Sequence, residues 1–361
     1  MRKGVIMKFI HIADIHLGAE PDANMAWGPQ RKKEIWDSFQ NIITICNEEK
    51  AELLLIAGDL FHRQPLLREL KEVNYILGKL TTAQVVLMAG NHDYIGPRSY
   101  YQEFEWNERV HMFPRETMET IEFPELGAQV YGLSYCRKDI TEPLYDTVKP
   151  EQNDKIHILL AHGGDERNIP MNRKKLLNSG FDYIALGHIH KPEIISERMA
   201  YCGSLEPTDK NDLGERGYIL GEISRKDTGA YTTEIRFVSS CARRYLRIGL
   251  PVNQNTTNTS LLDQAKEAIQ AGGAANIYSF TIQGIRDELI HFDREALRKA
   301  GNVLEVLDES IPDYDFDALY RENSDNMIGM FIQKIRERAN QDETAKKALY
   351  YGIEALLNAK D

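Results

Sequence analysis

Short apolar runs alternate with amphipathic segments through the first two thirds of the chain, a pattern typical of layered α/β proteins. The runs predict buried strands at 8–13, 52–57, 85–88, 156–160 and 183–186. Apolar side chains at helical spacing predict helices at 29–48, where Pro29 suits the first turn, and at 66–80. Residues 201–238 are typical of strands and turns, with a hairpin turn at Thr228-Gly229, and would complete a second sheet.

The pattern changes near Ser239. Alternating strands and helices are predicted at 245–250, 261–271, 277–282, 293–300 and 303–307, which together form a βαβαβ module. The last stretch is helical, with apolar residues at helical spacing. We therefore predict three parts: a two-sheet α/β sandwich over residues 1–240, a smaller α+β domain at 241–310, and C-terminal helices at 311–361.

The composition is that of an ordinary globular protein, and no apolar run reaches the roughly 18 residues of a membrane span. Four scattered cysteines without CxxC spacing are typical of a reducing cytosol, so we expect a cytoplasmic protein without membrane contact. The net charge of −11 argues against broad, non-specific coating of nucleic acid. It leaves room for a local basic groove.

Five of the predicted strands are each followed at once by a short polar segment rich in histidine and aspartate. In order, these segments are Asp14-Ile15-His16, Gly58-Asp59, Gly90-Asn91-His92-Asp93, Ala161-His162-Gly163 and Gly187-His188-Ile189-His190. Ligands bind beyond the carboxyl ends of strands in such folds, so we expect the five segments to converge. A single histidine or aspartate at a strand end is usually structural, and His11, His111, His157 and His291 stay unassigned.

Carboxylate, amide and imidazole groups are the ligands of divalent ions that activate water. Asp59 follows a glycine that lets the backbone approach closely, and its carboxylate can bridge two ions. The first ion would take Asp14, His16, Asp59 and His190. The second ion would take Asp59, Asn91, His162 and His188. A water whose pKa falls to around 7 between such ions would become a hydroxide that attacks phosphorus in line.

Three further residues are candidates for the catalytic step. His92 follows Asn91 and points elsewhere, so we predict that it protonates the leaving oxygen or stabilises charge in the transition state. Asp93 could orient that imidazole. His62 lies three residues beyond Asp59, where it could position the phosphate or the substrate backbone.

The five segments resemble the signature of the calcineurin-like metallophosphoesterase superfamily over residues 7–240. Three longer strings resemble the SbcD-type DNA repair nucleases more narrowly: Gly58-Asp59-Leu60-Phe61-His62, Gly203-Ser204-Leu205-Glu206-Pro207 and Gly214-Glu215-Arg216-Gly217-Tyr218. Matched position by position, the resemblance implies the same seven metal ligands. It also implies that His62 positions the phosphate and that His92 acts on the transition state.

The SbcD-type resemblance also implies an activity and partners. It implies a Mn²⁺-dependent 3′→5′ exonuclease and single-strand endonuclease acting in DNA end processing. It implies that the domain at 241–310 is a capping domain, that the C-terminal helices dock an SMC-like ATPase of the SbcC type, and that the protein forms a homodimer. The ligand types themselves suit Mn, Fe, Zn or Co alike, so the native metal stays open.

Two basic clusters are candidates for DNA contact. They are Arg31, Lys32 and Lys33 near Trp27, and Arg243-Arg244. The alternative is a solvated helix face for the first and a linker for the second. The same metal core would also serve a small phosphodiester, a cyclic nucleotide or a phosphoprotein. A non-catalytic subunit that holds an ATPase is a third hypothesis, and the complete ligand set argues against it.

Overall fold

The computed structural model describes residues 5–339 and 342–359, and the chain forms two compact units, Met1–Tyr245 and Leu246–Asp361. The boundary lies a few residues beyond the predicted position 240, and the C-terminal helices fall within the second unit. Residues 340–341 and 360–361 of the predicted helical stretch lie outside the described residues. Across the described part of the chain, every helix is too short or too polar to span a membrane.

Over its described residues, the first unit contains two six-stranded sheets and three α-helices. Its strands are β1 (Val5–Ile12), β2 (Leu53–Ala57), β3 (Gln84–Met88), β4 (Val110–Met112), β5 (Glu119–Phe123), β6 (Ala128–Gly132), β7 (Ile156–His162), β8 (Tyr183–Gly187), β9 (Glu193–Ser196), β10 (Met199–Tyr201), β11 (Gly217–Arg225) and β12 (Tyr231–Ser239). Its helices are α1 (Gly28–Glu49), α2 (Leu67–Leu77) and α3 (Arg173–Leu177). Two short 3₁₀ turns lie at Tyr100–Gln102 and Pro124–Leu126.

The first sheet has the order β12-β11-β1-β2-β3-β4, and the second has the order β5-β6-β7-β8-β10-β9. The two sheets stack through a shared apolar core, in which Phe9 and Leu55 of the first sheet join Ile158 and Ala185 of the second. Helices α1 and α2 cover the other face of the first sheet. The predicted two-sheet α/β sandwich is confirmed.

The central strands of both sheets run parallel, β1 to β4 in the first and β6 to β8 in the second. Their carboxyl ends therefore lie along one edge of each sheet. Strand β7 continues two residues beyond the predicted end, so His162 is its last residue. The hairpin at Thr228-Gly229 joins β11 to β12 as predicted. The pair β5–β6 was not predicted, because β5 alternates between partly exposed and exposed positions.

The second unit contains the predicted βαβαβ module and the C-terminal helices. Its elements are β13 (Tyr245–Val252), α4 (Asn258–Gly272), β14 (Ile277–Arg286), α5 (Arg294–Arg298), β15 (Val303–Asp308), β16 (Ile311–Pro312), α6 (Phe316–Glu322), α7 (Met327–Ala339) and α8 (Glu343–Asn358). Strands β13, β14 and β15 are neighbours in one sheet, and β16 pairs with β14. Helices α7 and α8 pack through Ile328, Ile332, Leu349 and Ile353.

Candidate metal centre

The five predicted segments meet where the carboxyl ends of the two sheets come together. Strands β1, β2 and β3 deliver Asp14, Asp59 and Asn91 from the first sheet, while β7 and β8 deliver His162 and His188 from the second. Two backbone hydrogen bonds link the first two segments: the Asp14 amide donates to Gly58 at 3.1 Å, and the His16 amide donates to Asp59 at 3.1 Å. Register between neighbouring strands therefore sets the spacing of the side chains.

Four residues of these segments adopt backbone conformations that L-residues rarely occupy. Asp14, His16, Asp59 and His188 have φ values of +49°, +52°, +48° and +95°. Such conformations cost roughly 1–3 kcal/mol each and persist only where the surrounding structure enforces them. Here they turn the side chains inward immediately after each strand ends, and this clustering marks the edge as a functional site.

The carboxylate of Asp59 lies between the two groups of ligands proposed from the sequence. Its Oδ2 atom is 3.9 Å from Nε2 of His16 and 3.5 Å from Nε2 of His162. Its Oδ1 atom accepts a hydrogen bond from the His92 amide at 2.9 Å, which fixes the rotation of the carboxylate. The position suits a carboxylate that bridges two cations.

On one side of Asp59, the structure brings Asp14, His16 and His190 together. One potential ligand atom from each lies within 4.8 Å of the others. The Nε2 atoms of His16 and His190 are 3.0 Å apart. The Asp14 carboxylate also accepts hydrogen bonds from the His188 amide at 2.9 and 3.1 Å, which holds it beside the group.

On the other side of Asp59 lie Asn91, His162 and His188. The amide oxygen Oδ1 of Asn91 is 3.0 Å from Nε2 of His162 and 3.1 Å from Nδ1 of His188. Nδ1 of His162 lies 2.8 Å from the carbonyl oxygen of Ala57, so this nitrogen carries the proton. In the neutral ring, Nε2 then presents a lone pair towards the Asn91 oxygen. Nε2 of His162 and Oδ1 of Asn91 are thus two acceptor atoms that fit around a cation.

Burial and neighbouring charges act in opposite directions on the ionisable residues of this site. Burial raises the pKa of Asp14 and lowers the pKa of His16 well below its ordinary value. Burial alone would lower the pKa of His162, but the carboxylates of Asp59 and Asp14 raise it to about 9. Burial opposes ionisation of Asp59 as well, yet His162 and its neighbours hold its pKa well below the usual range. Hard oxygen ligands and imidazoles gathered in one buried site are ligand types that fit a pair of divalent metal ions.

His62 and His92 lie next to this group. Their rings are stacked with centroids 5.3 Å apart, and the His92 ring is 4.8 Å from that of His16. Nδ1 of His92 donates to the carbonyl oxygen of His62 at 3.0 Å, which leaves Nε2 available to a substrate. Burial lowers the pKa of His62. The geometry suits two groups that would act on a phosphate beside bound metal ions.

Asp93, which the sequence predicts to orient His92, has other hydrogen-bond partners in the structure. The Asp93 carboxylate is fully buried and accepts hydrogen bonds from the amides of Phe61 and Gly90 and from the hydroxyl of Tyr101. These bonds join the segment after β2 to the segment after β3. Adjacent side chains in this turn point in opposite directions, so Asp93 faces inward while His92 faces the site.

In the first basic cluster, the arginine is not available for DNA contact. Arg31 is fully buried and donates to Glu34 at 2.6 Å, to Glu206 at 3.3 Å and to the carbonyl oxygen of Pro207 at 2.7 Å. Lys32 and Lys33 are exposed but form ion pairs with Glu20 and Asp37, each at 2.5 Å. The indole of Trp27 is nearly buried and donates to Asp22 at 2.8 Å.

The second basic cluster is divided between two environments. Arg243 is buried and pairs with Glu34 at 2.7 Å, so it belongs to the same internal network as Arg31. Arg244 is more exposed and lies 3.7 Å from Glu215. Of the candidates for DNA contact, Arg31 and Arg243 are therefore not available to a DNA backbone, because their charges are paired inside the fold.

Two carboxylates that the sequence analysis did not single out touch the site. Asp165 lies 2.7 Å from Nε2 of His188, and Asp212 lies 3.1 Å from Nδ1 of His190. Neither follows a predicted strand directly, so position in the sequence carried no signal for them. Only the folded loops bring them to the outer side of the two rings.

Comparison with known proteins identifies the family. The calcineurin-like phosphoesterase model matches residues 7–192, just over half of the chain. Over 243 residues, the chain is 28% identical to the uncharacterized metallophosphoesterase YhaO of Bacillus subtilis, across 61% of this chain and 58% of that protein. Over 243 residues, it is 30% identical to the DNA double-strand break repair protein Mre11 of Methanocaldococcus jannaschii, across 61% and 64%.

A second protein of that name, from Halobacterium salinarum, is 28% identical over 236 residues, across 61% of this chain and 57% of its own length. The chain thus aligns with about six tenths of the length of these curated relatives. The matched residues 7–192 contain all five polar segments and all seven candidate metal ligands. The chain belongs to the calcineurin-like phosphoesterase family.

Proposed function

We propose that this protein is a two-metal phosphodiesterase that acts on DNA. The observation that carries the hydrolytic part is the position of Asp59 Oδ2 between His16 and His162, with a ligand group on either side. Asp14, His16, Asp59 and His190 would hold the first ion. Asp59, Asn91, His162 and His188 would hold the second, with Mn²⁺ as the proposed metal.

The chemistry divides between the ions and the protein. Two bound divalent ions supply Lewis acidity and a water activated at neutral pH for attack on phosphorus. The chain supplies position: the His92 amide fixes the Asp59 carboxylate, and the His62 carbonyl fixes the His92 ring. With Nδ1 so bound, protonated His92 presents Nε2–H towards the substrate, where it can protonate the leaving oxygen. His62 stacks on that ring and would position the phosphate.

DNA is the proposed substrate because two relatives at 28–30% identity carry the name of a DNA double-strand break repair protein. The sequence strings that resemble SbcD-type nucleases also contain residues that stabilise the fold. Glu206 accepts from Arg31 inside the fold, and Arg216 lies 3.5 Å from Asp212. We propose 3′→5′ exonuclease and single-strand endonuclease activity in DNA end processing, as the resemblance implies.

We also propose an SMC-like ATPase as partner, docked on the C-terminal helices. Met327, Met330 and Tyr351 are each more than half exposed on α7 and α8. Apolar side chains on helices whose other face already packs on its neighbour are suited to contact a partner. Met330→Glu should abolish co-purification with such an ATPase and leave hydrolysis of a small ester unchanged. Co-purification that survives this change would contradict the docking role.

The capping role of the module and the homodimer rest on the resemblance alone.

A second candidate is hydrolysis of a small phosphodiester, a cyclic nucleotide or a phosphoprotein. The net charge of −11 and the burial of Arg31 and Arg243 favour it, since these arginines are not available to a DNA backbone. The metal centre is the same in both candidates. The two candidate functions differ in whether a long polyanion such as DNA reaches the metal centre.

One experiment separates the candidates. Protein stripped with EDTA is reloaded with Mn²⁺ and given 3′- and 5′-labelled duplex and single-stranded DNA, beside bis-p-nitrophenyl phosphate. The proposed function predicts that DNA and the small ester are both cleaved. The variant Asp59→Ala should cleave neither, which excludes a contaminating nuclease. Cleavage of the ester alone would reject DNA as substrate, and cleavage of neither by metal-loaded protein would reject the hydrolytic role.

A further inference from the structure

Asp165 contacts the outer nitrogen of His188. Its Oδ2 atom lies 2.7 Å from Nε2 of that ring, while Nδ1 of the same ring lies 3.1 Å from Oδ1 of Asn91. A carboxylate that accepts from Nε2–H keeps the proton on that nitrogen and leaves the lone pair on Nδ1. The ring thus turns its lone pair towards the group formed by Asn91 and His162.

Asp212 contacts His190 in the same way but through the other nitrogen. Its Oδ2 atom lies 3.1 Å from Nδ1 of His190, and Nε2 of that ring lies 3.0 Å from Nε2 of His16. The proton is therefore held on Nδ1, and the lone pair of Nε2 faces the group formed by Asp14 and His16. The two histidines are two residues apart in sequence, yet each turns to a different side of Asp59.

Both carboxylates are held in place by further donors. Asp212 Oδ2 accepts from the amide of Thr208 at 2.9 Å and from its hydroxyl at 3.0 Å, and Oδ1 lies 3.5 Å from the Arg216 guanidinium. Asp165 Oδ1 accepts from the amides of Arg167 and Asn168 at 2.8 and 2.9 Å. The side chains of Asp212 and Asp165 are therefore already held in position before a metal ion binds.

The loop that carries Asp165 is under backbone strain. Ile169 is buried and has a φ of +37°, which is unfavourable for a β-branched residue. Its amide donates to Ile140 at 2.7 Å, and the amide of Gly164 donates to its carbonyl oxygen at 3.1 Å. These contacts hold the loop closed over residues 164–169. Strain of this kind is retained where a geometry serves a function, and here the loop sets Asp165 against His188.

We propose that Asp212 and Asp165 are positioning residues that tune the two metal sites separately. Asp212, through His190, sets the affinity of the site formed with Asp14 and His16. Asp165, through His188, sets the affinity of the site formed with Asn91 and His162. This inference rests on the proposed two-metal function and adds to it a separate control for each ion.

The two positioning residues differ in exposure, and their effects should differ with it. The Asp212 side chain is 13% exposed, whereas that of Asp165 is 48% exposed. Water weakens the interaction of an exposed carboxylate with its partner. Loss of the Asp212 charge should therefore weaken its site more than loss of the Asp165 charge weakens the other.

The test measures metal binding rather than turnover. EDTA-stripped wild-type protein, Asp212→Asn and Asp165→Asn are titrated with Mn²⁺ by isothermal calorimetry. Removal of such outer partners of a metal ligand typically weakens binding by about 10–100-fold. We expect a loss in this range for Asp212→Asn at one site, and a loss towards its lower end for Asp165→Asn at the other. Anomalous diffraction from crystals soaked at limiting Mn²⁺ assigns each loss to its site.

Matched controls are available in or beside the same loops. Asp209 accepts from the Asn211 amide at 2.7 Å, and Asp139 pairs with Arg167 at 3.2 Å. Asp209→Asn and Asp139→Asn should bind Mn²⁺ like the wild type. Unfolding of the metal-free variants in urea separates the roles: a purely structural role would lower stability and leave the affinity of the folded protein unchanged.

Three outcomes would overturn a claim, and they can be distinguished. Wild-type affinity in both Asp212→Asn and Asp165→Asn would reject the positioning role. Equal loss of both anomalous peaks in each variant would reject separate control. Wild-type protein that binds no Mn²⁺ would instead reject the proposed two-metal function itself.

Discussion

Gly58 lies directly against the imidazole ring of His162. A Cβ atom at Gly58 would come within 2.3 Å of Nδ1 and 2.7 Å of Cγ of that ring. The same nitrogen lies 2.8 Å from the carbonyl oxygen of Ala57, and Gly58 itself has a φ of +88°. The end of β2 in one sheet thus forms the surface on which the last residue of β7 in the other sheet rests.

Gly58→Ala should therefore lose metal as well as stability. The added methyl group displaces the His162 ring, and the left-handed backbone costs a further 1–2 kcal/mol or so. Metal content after dialysis, measured by mass spectrometry, should fall below two ions per chain. Gly229→Ala is the matched control, because its φ is +86° and its Cβ would meet its nearest neighbour only at 4.0 Å. Two retained ions in Gly58→Ala would show that the ring can move without loss of the site.

His92→Ala should abolish most turnover and keep both metal ions. Alanine retains the backbone amide that donates to Asp59, so the Asp59 carboxylate stays in place. Loss of an acid or of charge stabilisation typically lowers kcat by about 10²–10⁴-fold. Hydrolysis of bis-p-nitrophenyl phosphate and metal content are measured on the same samples. His111→Ala, at a ring that contacts Gln84 away from the site, is the control. A fall in metal content would identify His92 as a ligand.

Asp93→Ala should behave differently from His92→Ala. The change leaves the buried amides of Phe61 and Gly90 without their acceptor, and each such loss costs about 1–3 kcal/mol. The segments that carry Asp59 and Asn91 are then no longer joined. We expect a lower free energy of unfolding in urea together with reduced metal content. Full metal content with no turnover would instead restore the interpretation of Asp93 as the residue that orients His92.

Arg31→Ala should destabilise the fold strongly. It removes the guanidinium from the buried carboxylate of Glu206, whose pKa burial already raises, and leaves Glu34 paired with Arg243. Breaking a buried ion pair from one side typically costs about 3–5 kcal/mol. Lys33→Ala, which removes an exposed pair with Asp37, should cost less than about 1 kcal/mol. Normal stability with weakened DNA binding in Arg31→Ala would favour the original prediction of DNA contact.

His11 should make the metal-free protein less stable as the pH falls. Burial lowers the pKa of His11 to about 3. The ring therefore stays neutral in the folded protein at pH values where the unfolded chain, with a pKa near 6.5, takes up a proton. His11 makes its full contribution to the free energy of unfolding above about pH 6.5. This contribution decreases as the pH falls towards 3, and at pH 5 it is about 2 kcal/mol smaller.

His11→Gln should remove this contribution to the pH dependence, since glutamine does not titrate. Urea unfolding in EDTA at pH 8 and pH 5 should show a smaller loss for the variant than for the wild type. His291→Gln, at an exposed side chain, should show the wild-type difference. A variant whose stability falls as steeply as that of the wild type would mean that His11 is protonated inside the fold.

Much of the site was predictable because parallel strands impose a simple rule. Asp14, Asp59 and His188 directly follow apolar strands, and residues at the carboxyl ends of parallel strands share one edge. Helix α1 was equally clear, since Ile35, Phe39 and neighbouring apolar residues repeat at helical spacing and pack on the first sheet. The period of the side chains carries this information without any knowledge of distant contacts.

Other features depended on contacts between residues far apart in the chain. Arg31 occupies a helix position that looks solvated in sequence, but Glu206, 175 residues away, lies against it and draws it inside. Asp93 follows His92 and looks like its partner, yet the Tyr101 hydroxyl and two backbone amides take its carboxylate. Sequence proximity was misleading there because a turn points adjacent side chains in opposite directions.

The sequence by itself determined the two sheets, the order of the polar segments and the identity of the metal-ligand candidates, because apolar periodicity and strand ends are local properties. Only the tertiary structure decided which nitrogen faces the centre in three of the histidines. The acceptor of the outer N–H sets this orientation. It is the Ala57 carbonyl for His162, the Asp165 carboxylate for His188 and the Asp212 carboxylate for His190. A hydrogen bond to the outer nitrogen places the proton, and its acceptor comes from a loop or strand that only folding brings near.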